Sequence, residues 1–152
     1  MDKEKLQIFL TGLLLMVLLI AFNMRDNLSD YITEKLQQSA EPEVVLSGRQ
    51  WIDSLYNYTK NGEDYDFTLL QFKSTGCTLC KEMEPEMELI KKDPGQKVKV
   101  AVLNVMNSNS QNVMKYFGVS AVPVILILNK EGNEAFRKYG FISAEELRLH
   151  FN

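Results

Sequence analysis

The chain has 152 residues, of which 45% are hydrophobic and 24% are charged, and its formal net charge is -3 at pH 7. This length and composition fit one globular domain with an appendage and exclude a disordered chain. Lys and Arg form no dense cluster in the sequence, so nucleic-acid binding has no support. Two cysteines are too few for a disulfide-rich scaffold.

The N-terminal segment from Leu6 to Phe22 is almost entirely apolar and carries no charge. As a helix it would extend about 25 Å, against about 30 Å for a bilayer core, and local thinning of the bilayer absorbs such a gap. Lys3 and Lys5 precede this run, as in a cleaved signal peptide, but no small-x-small cleavage site follows it. We therefore expect an uncleaved transmembrane anchor over residues 6–23, with residues 1–5 in the cytoplasm.

The charges that flank the apolar run bear on its orientation. Two lysines and the amino group precede the run, whereas Arg25 and Lys35 follow it. The N-terminal side therefore carries a slight excess of positive charge. A short N-terminal anchor usually exports the chain that follows it. We therefore expect a single-pass membrane protein whose C-terminal domain lies outside the cytoplasm, on the periplasmic side in a bacterium.

Residues 24–42 predict a stalk, or linker helix, between the anchor and a globular domain. A narrow apolar stripe at helical spacing runs along this segment, and Pro42 ends it. The stripe either lies on the membrane surface or on the following domain, or belongs to a mostly solvated spacer. Its members are Leu28, Tyr31, Ile32 and Leu36.

Residues 43–152 predict a globular α/β domain with the element order β-α-β-α-β-α-β-β-α. Strands that alternate with helices favour a mixed, mainly parallel sheet with helices on both faces, and the final hairpin adds an antiparallel edge. The predicted strands are Val44–Leu46, Phe67–Phe72, Val98–Val105, Val124–Leu128 and Ala135–Tyr139. The predicted helices run from Ser47 or Gly48 to Asn61, from Cys77 to about Lys92, from Ser108 or Ser110 to Phe117, and onward from a capping box at Ser143–Glu146.

The only two cysteines, Cys77 and Cys80, stand three residues apart in the sequence GCTLCK. A structural zinc site needs four ligands, and the one histidine, His150, is far away, so we expect no metal. A disulfide that closes so short a loop removes little entropy from the unfolded chain and makes a poor staple. A redox-active pair is the interpretation that remains, and it requires no bound cofactor.

The position of the pair fits redox chemistry, because it follows a buried strand and opens a helix. Cys77 is expected at the helix N-terminus, where free N–H groups and the helix dipole favour a thiolate. Cys80, one turn later, is expected to be more deeply buried. We infer that Cys77 attacks a partner disulfide and Cys80 resolves the mixed disulfide, and that Gly76 leaves the approach to Cys77 open.

The segment from Phe67 to Asn152 resembles the thioredoxin family, and Val44–Lys60 resembles the first strand and helix of that family. The motifs that carry the resemblance are the stretch Phe72–Lys81 with its CxxC, Pro85 within the helix, the segment Val119–Pro123, and Tyr139–Phe141.

The resemblance implies a thioredoxin-like fold, a disulfide between Cys77 and Cys80, and a cis-proline at Pro123 packed against the cysteines. It also implies that the Val122 backbone pairs with an extended substrate segment. The substrate groove implied in this way consists of Gly76, Thr78, Leu79, Val122, Pro123, Gly140 and Phe141.

Several positions depart from the family pattern. Gly76 replaces a Trp, Thr78-Leu79 replaces Gly-Pro, and Lys73 replaces a second aromatic residue. Gln71 occupies the position of a buried Asp thought to relay the proton of the resolving thiol, and a neutral amide cannot do so. The reduction potential therefore cannot be inferred, since family members span about -270 to -120 mV.

These features predict a membrane-tethered thiol-disulfide oxidoreductase that reduces disulfides of extracytoplasmic partner proteins. A membrane-bound thiol reductase is expected to supply its electrons, because an exported domain has no NADPH supply. The alternatives are a thioredoxin-like adaptor or binding module without catalysis, and a disulfide oxidase or isomerase.

Overall fold

The computed structural model describes residues 3–151, apart from the side chains of residues 5, 23 and 25–27. Residues 1 and 2 of the predicted cytoplasmic segment, and the Lys5 and Arg25 charges used to orient the anchor, lie outside this description. The helices are α1 (Lys3–Gln38), α2 (Pro42–Leu55), α3 (Tyr58–Asn61), α4 (Thr78–Lys91), α5 (Ser108–Phe117) and α6 (Ala144–Arg148). The strands are β1 (Phe67–Lys73), β2 (Val98–Asn104), β3 (Val124–Leu128) and β4 (Glu134–Tyr139).

The predicted anchor and the predicted stalk as far as Gln38 form one continuous helix, α1, of 36 residues. Every large apolar side chain from Leu6 to Phe22 is exposed on it. Within the described part of the chain, no helix is both long enough and apolar enough to span a membrane.

The C-terminal part of α1 packs against the globular domain through a polar residue rather than through the predicted apolar stripe. Thr33 is buried, whereas all four stripe residues are exposed. Gly118, just after α5, has a φ of 60°, and a Cβ there would lie 2.5 Å from the Thr33 carbonyl oxygen. Close approach of the two backbones therefore requires a glycine at this position.

The predicted first strand, Val44–Leu46, is wrong, because these residues belong to α2. Pro42 begins this helix at its first turn, where proline has no N–H bond to lose and its fixed φ suits a helix. Val44, Gly48 and Ile52 are its buried residues, and their spacing of four is that of one helix face. The helical face therefore outweighs the β-propensity of the two valines.

The helix predicted to run to Asn61 is divided into two. The longer helix, α2, ends at Leu55, and α3 begins after Asn57, whose side chain accepts a hydrogen bond from the Lys60 N–H at 3.2 Å. Gly62 ends α3 with a φ of 77°. The predicted end of the helical segment at Asn61 is thus confirmed, but the break before α3 was missed.

The sheet has four strands in the order β2-β1-β3-β4. It is mixed, as predicted, but it is not mainly parallel: β1 pairs with β2 in parallel, whereas the β1–β3 and β3–β4 pairs are antiparallel. The loop after α5 returns the chain to the sheet edge at which β2 ended. The chain therefore enters β3 in the opposite direction.

Helices cover both faces of this sheet, as predicted. On one face, α4 and α6 pack on a cluster that includes Leu69, Met83 and Leu147. On the other face, α2 and α5 pack on a cluster that includes Ile52, Phe72 and Phe117. All five residues of β3 are buried, because this strand lies between β1 and β4 and is covered on both faces.

Candidate active site

The segments that carry the predicted site residues lie together at one edge of the sheet. β1 and β2 end at this edge, β3 begins there and β4 ends there, because β3 and β4 pair antiparallel. The Gly140 N–H donates a hydrogen bond to the Pro123 carbonyl at 2.9 Å, which joins the end of β4 to the start of β3. The Val105 N–H donates to the Lys73 carbonyl at 2.8 Å, which joins the ends of β1 and β2.

Cys77 and Cys80 are joined in a disulfide at this edge, with their Cα atoms 5.2 Å apart. Cys77 is the N-cap residue of α4, and its Sγ accepts a hydrogen bond from the Cys80 N–H at 3.2 Å. In the reduced protein, the same N–H and the helix dipole would stabilise negative charge on the Cys77 sulfur.

The two sulfurs differ in their access to solvent. Cys77 is half-buried, while Cys80 is only 2% exposed. An incoming partner can therefore approach Cys77 but not Cys80. This asymmetry suits the predicted division between an attacking and a resolving cysteine, whose roles stay predictions.

The Val122–Pro123 peptide bond is cis, which is the geometry that the resemblance implied for Pro123. Pro123 is buried and Val122 is half-buried. The loop that ends at this bond and the loop that carries the cysteines lie at the same sheet edge. The backbone on either side of the bond thus lies near the disulfide end of the sheet.

The other predicted groove residues lie at the same sheet edge as the disulfide, and most of them are exposed. Leu79 and Phe141 are each 45% exposed, and Gly76 and Thr78 are exposed as well. Gly140 has a φ of 86° and is half-buried. The structure therefore brings all seven predicted groove residues to one edge, and their role with a substrate stays a prediction.

Gln71 lies in β1 beneath α4 and is 1% exposed. Among the described residues, its Nε2 atom is a buried side-chain nitrogen without a hydrogen-bond partner. The position where the family has a proton-relaying Asp thus holds an unsatisfied amide donor.

The charge on Lys73 is compensated by a carboxylate. Its Nζ lies 3.0 Å from Glu84 Oε1 of α4 in an ion pair. The lysine that replaces a family aromatic residue is therefore paired, and is not a free charge at the end of β1. Among the described residues, no group of three or more His, Cys, Asp and Glu side chains is arranged to hold a metal ion.

A polar network that the sequence did not reveal connects α1 to the end of β4. The hydroxyls of Thr33 and Tyr139 share a hydrogen bond of 2.8 Å. Burial alone would raise the pKa of Tyr139, but hydrogen bonds with Thr33, Ser120 and Arg137 hold it below its usual value. Tyr139 therefore links α1 to the loop that leads to Pro123.

Arg137 forms the buried part of this network. Its side chain is 8% exposed and makes an ion pair with Glu134 at 2.7 Å. It also donates to the Phe117 carbonyl at 2.7 Å and to the Tyr139 hydroxyl at 3.2 Å. No spacing signal in the sequence marks these contacts, because Thr33 and Tyr139 are 106 residues apart.

A family model described as a thioredoxin-like domain matches residues 53–152. This match covers the β-strands, the cysteine pair and the cis-proline of the site. The chain therefore belongs to the thioredoxin-like domain family.

A curated relative supports the same assignment. The chain is 33% identical over 85 residues to the thioredoxin-like protein HCF164, chloroplastic, of Arabidopsis thaliana. The matched region is 56% of this chain and 33% of that protein, so the chain corresponds to about a third of its relative's length.

Two solved structures share the fold. A mutant thioredoxin from Halobacterium salinarum aligns with a TM-score of 0.52 and 21% identity over 60% of this chain and 80% of its own. StoA from Bacillus subtilis aligns with a TM-score of 0.50 and 20% identity over 59% of this chain and 85% of its own. At such identities the likeness shows the fold alone.

Proposed function

We propose that this protein is a membrane-tethered thiol-disulfide oxidoreductase that reduces disulfides of extracytoplasmic partner proteins through Cys77 and Cys80. The observation that carries the proposal is the disulfide at the start of α4, with one accessible and one enclosed sulfur. A purely structural disulfide would not need one accessible and one enclosed sulfur, whereas a two-step exchange reaction does.

The exchange begins when the Cys77 thiolate attacks a disulfide of the partner. A bond forms between Cys77 and one partner sulfur, and the other partner sulfur leaves as a thiolate. Cys80 then attacks Cys77, which closes the disulfide and releases the second partner thiol. The exposed groove residues Leu79 and Phe141 offer apolar contacts to a protein substrate.

The tether is proposed for α1. Its exposed apolar side chains from Leu6 to Phe22 form a continuous surface, which usually marks a membrane or protein interaction site. A bilayer covers such a surface on all sides at once. The orientation with the redox domain outside the cytoplasm follows from the usual topology of short N-terminal anchors.

Reduction is the proposed direction of the reaction. Broad disulfide oxidases of this family often carry a helical insertion after the second strand of the redox site, and the described segment between β2 and β3 holds α5 alone. Sustained reduction outside the cytoplasm requires a membrane-bound thiol reductase that returns electrons to the Cys77–Cys80 disulfide.

The test uses the full chain with Cys80→Ser, expressed in cells whose membranes are then isolated. Because the resolving sulfur is removed, we expect mixed disulfides between Cys77 and partner proteins to accumulate. Reductant should release these partners on a non-reducing gel. The complexes should also stay with the membrane pellet after alkaline carbonate washing if α1 is a tether.

The matched control is the double variant Cys77→Ser/Cys80→Ser, which should capture no partner covalently. If Cys80→Ser and the double variant bind the same partners without a covalent link, the protein is an adaptor module and the proposal fails. Extraction of the protein into the carbonate supernatant would contradict the tether alone.

A further inference from the structure

The strand β2 lies at one side of the sheet, and no described strand pairs with its outer edge. Its residues pair with β1 in one continuous register, from Val98 to Asn104, without a bulge. β3 is buried along its whole length, whereas in β2 only Val98 is buried and Val102 is 47% exposed. A long, regular and apolar edge of this kind is a template for pairing with another strand.

The usual protection of a sheet edge is missing from β2. Edges that stay unpaired generally carry a proline, a bulge, an outward-pointing lysine or a covering helix. The opposite edge has such a cover, because α1 lies over β4 and Thr33 bonds to Tyr139 at 2.8 Å. The one charged residue of β2 is Lys99, whose Nζ lies 2.6 Å from Glu63 Oε2 and 5.7–5.9 Å from the centres of three tyrosine rings. Its charge is therefore engaged within its own chain.

A cleft of about 290 Å³, which Gln71 also lines, lies beside β2 on the face of the sheet that α4 covers. Val100 and Val102 form one wall of this cleft, and Met87 and Lys91 of α4 line the other side. Alternate side chains of a strand added to β2 would project over the same face. Apolar side chains there would cover the exposed part of Val102.

We propose that β2 pairs antiparallel with β2 of a second copy of this chain, so that the two sheets join into one. In the register centred on Ala101, Val100 of each copy lies opposite Val102 of the other, and Lys99 lies opposite Leu103. The pairing therefore opposes no like charges and covers each exposed valine with another valine. About six to eight main-chain hydrogen bonds would join the copies, because alternate residue pairs exchange two each.

The path of α1 lets both copies face one membrane. The two-fold axis of such a pair stands perpendicular to the joined sheet, so each face of one copy continues as the same face of the other. Gln37 packs beside Gly118 at the end of α5, whereas Asp30 lines a cleft with Glu146 and His150 at α6.

Toward its N-terminus, α1 therefore crosses the β4 edge from the face that α5 covers to the face that α6 covers. The apolar halves of both α1 helices would then emerge on the same side of the pair. This fit rests on the tether proposed above, whereas the pairing of β2 does not.

Disulfide trapping tests the register in the full chain in mild detergent, in a Cys77→Ser/Cys80→Ser background. Ala101→Cys brings two sulfurs together across the axis, with Cα atoms expected about 4.5–5.5 Å apart, which suits a disulfide. Leu103→Cys is the matched control on the same face of β2, because Leu103 would lie about 14 Å from its counterpart. Under mild oxidant we expect a covalent dimer with Ala101→Cys and none with Leu103→Cys.

Sedimentation velocity of the full chain in detergent tests the edge itself. We expect the unaltered protein to form a dimer that dissociates on dilution. Val102→Lys should raise the dissociation constant about tenfold or more, because each dimer would enclose two lysines opposite valines. Leu46→Lys is the control and should leave the dissociation constant unchanged, since Leu46 is 61% exposed on α2.

A monomer at every concentration, with no trapping through Ala101→Cys, would overturn the proposal. A dimer that Val102→Lys does not weaken would also overturn it, because the contact would then lie elsewhere. Equal trapping through Ala101→Cys and Leu103→Cys would indicate random collision and contradict the register.

If Ala101→Cys instead forms disulfides with other proteins in isolated membranes, the edge receives an extended segment of a partner, and the assignment to a second copy is wrong. None of the trapping results bears on the proposed redox function, because the background lacks both native cysteines.

Discussion

The backbone conformation of Gly76 determines where the reactive Cys77 lies. Its φ of 80° lies in the left-handed region, and a Cβ built there would contact no described heavy atom within 4 Å. Glycine is therefore needed here for its conformation and not for space. The turn it permits sets the start of α4, and thereby the N-cap position of Cys77.

We expect Gly76→Ala to destabilise the protein by about 1 kcal/mol, because an L-residue is strained in this region. It should also change the rate at which iodoacetamide alkylates Cys77 in the reduced protein, since the turn presents that sulfur. Urea unfolding and alkylation kinetics measure the two effects.

Gly62→Ala is a matched control, because Gly62 has a φ of 77°, equally open surroundings and a position at the end of α3, away from the cysteines. It should lose similar stability and leave alkylation unchanged. Equal alkylation rates in the unaltered protein, Gly76→Ala and Gly62→Ala would refute the link between the Gly76 turn and the Cys77 sulfur.

At the scale of elements, the docking of α1 depends on polar contacts at its C-terminal part. Thr33 is buried against the domain and bonds to Tyr139 at 2.8 Å, and Tyr139 is held by Arg137 in turn. Tyr139 directly precedes Gly140, whose N–H bonds to Pro123. The helix is thus attached beside the site and not at the far end of the sheet.

We expect Thr33→Val to cost about 1 kcal/mol of unfolding free energy, and Tyr139→Phe to cost more, because the Tyr139 hydroxyl also bonds to Arg137. The two costs should combine less than additively, because both substitutions remove the bond that the two hydroxyls share. A double-mutant cycle by urea unfolding of the full chain in detergent measures the coupling. Tyr31→Phe, on an exposed part of α1, is the control. Strict additivity of the two substitutions would mean that the bond does not hold α1 in place.

Local signals in the sequence were sufficient for much of this fold. The bounds of α5 and β3, and the helix that starts at the cysteines, agree with prediction because local signals mark them. Gly118 ends α5, Cys77 caps α4, and a continuous apolar run makes up β3. The strand predicted at Val44–Leu46 failed because two valines suggest a strand, whereas the spacing of buried positions with Gly48 and Ile52 makes a helix.

The remaining features depend on contacts between distant segments, which a single sequence does not display. The reversed direction of β3 depends on where the loop after α5 returns to the sheet. The bond from Thr33 to Tyr139 joins residues that are 106 positions apart, and the apolar stripe left open whether this segment docks on the domain. The position of Gln71 was predicted, but its unsatisfied amide and the adjoining cleft emerged only from the packing of α4 over β1 and β2.

The whole molecule is a redox domain attached to a long helix with an exposed apolar half. From Thr33 back to Phe22, α1 rises about 16 Å, at about 1.5 Å per residue. If a membrane covers the apolar half, the domain stays close to that surface. Partners that are themselves membrane-bound, or bound at its surface, would then be the ones within reach of Cys77.

The reduction potential of the Cys77–Cys80 pair in glutathione redox buffers tests the central claim most directly. We expect full and reversible interconversion of dithiol and disulfide, with a midpoint below about -230 mV, as suits a reductase. A midpoint near about -120 mV would indicate an oxidase and contradict the proposed direction. Cysteines that remain alkylatable and do not close into a disulfide under mild oxidant would contradict redox function altogether.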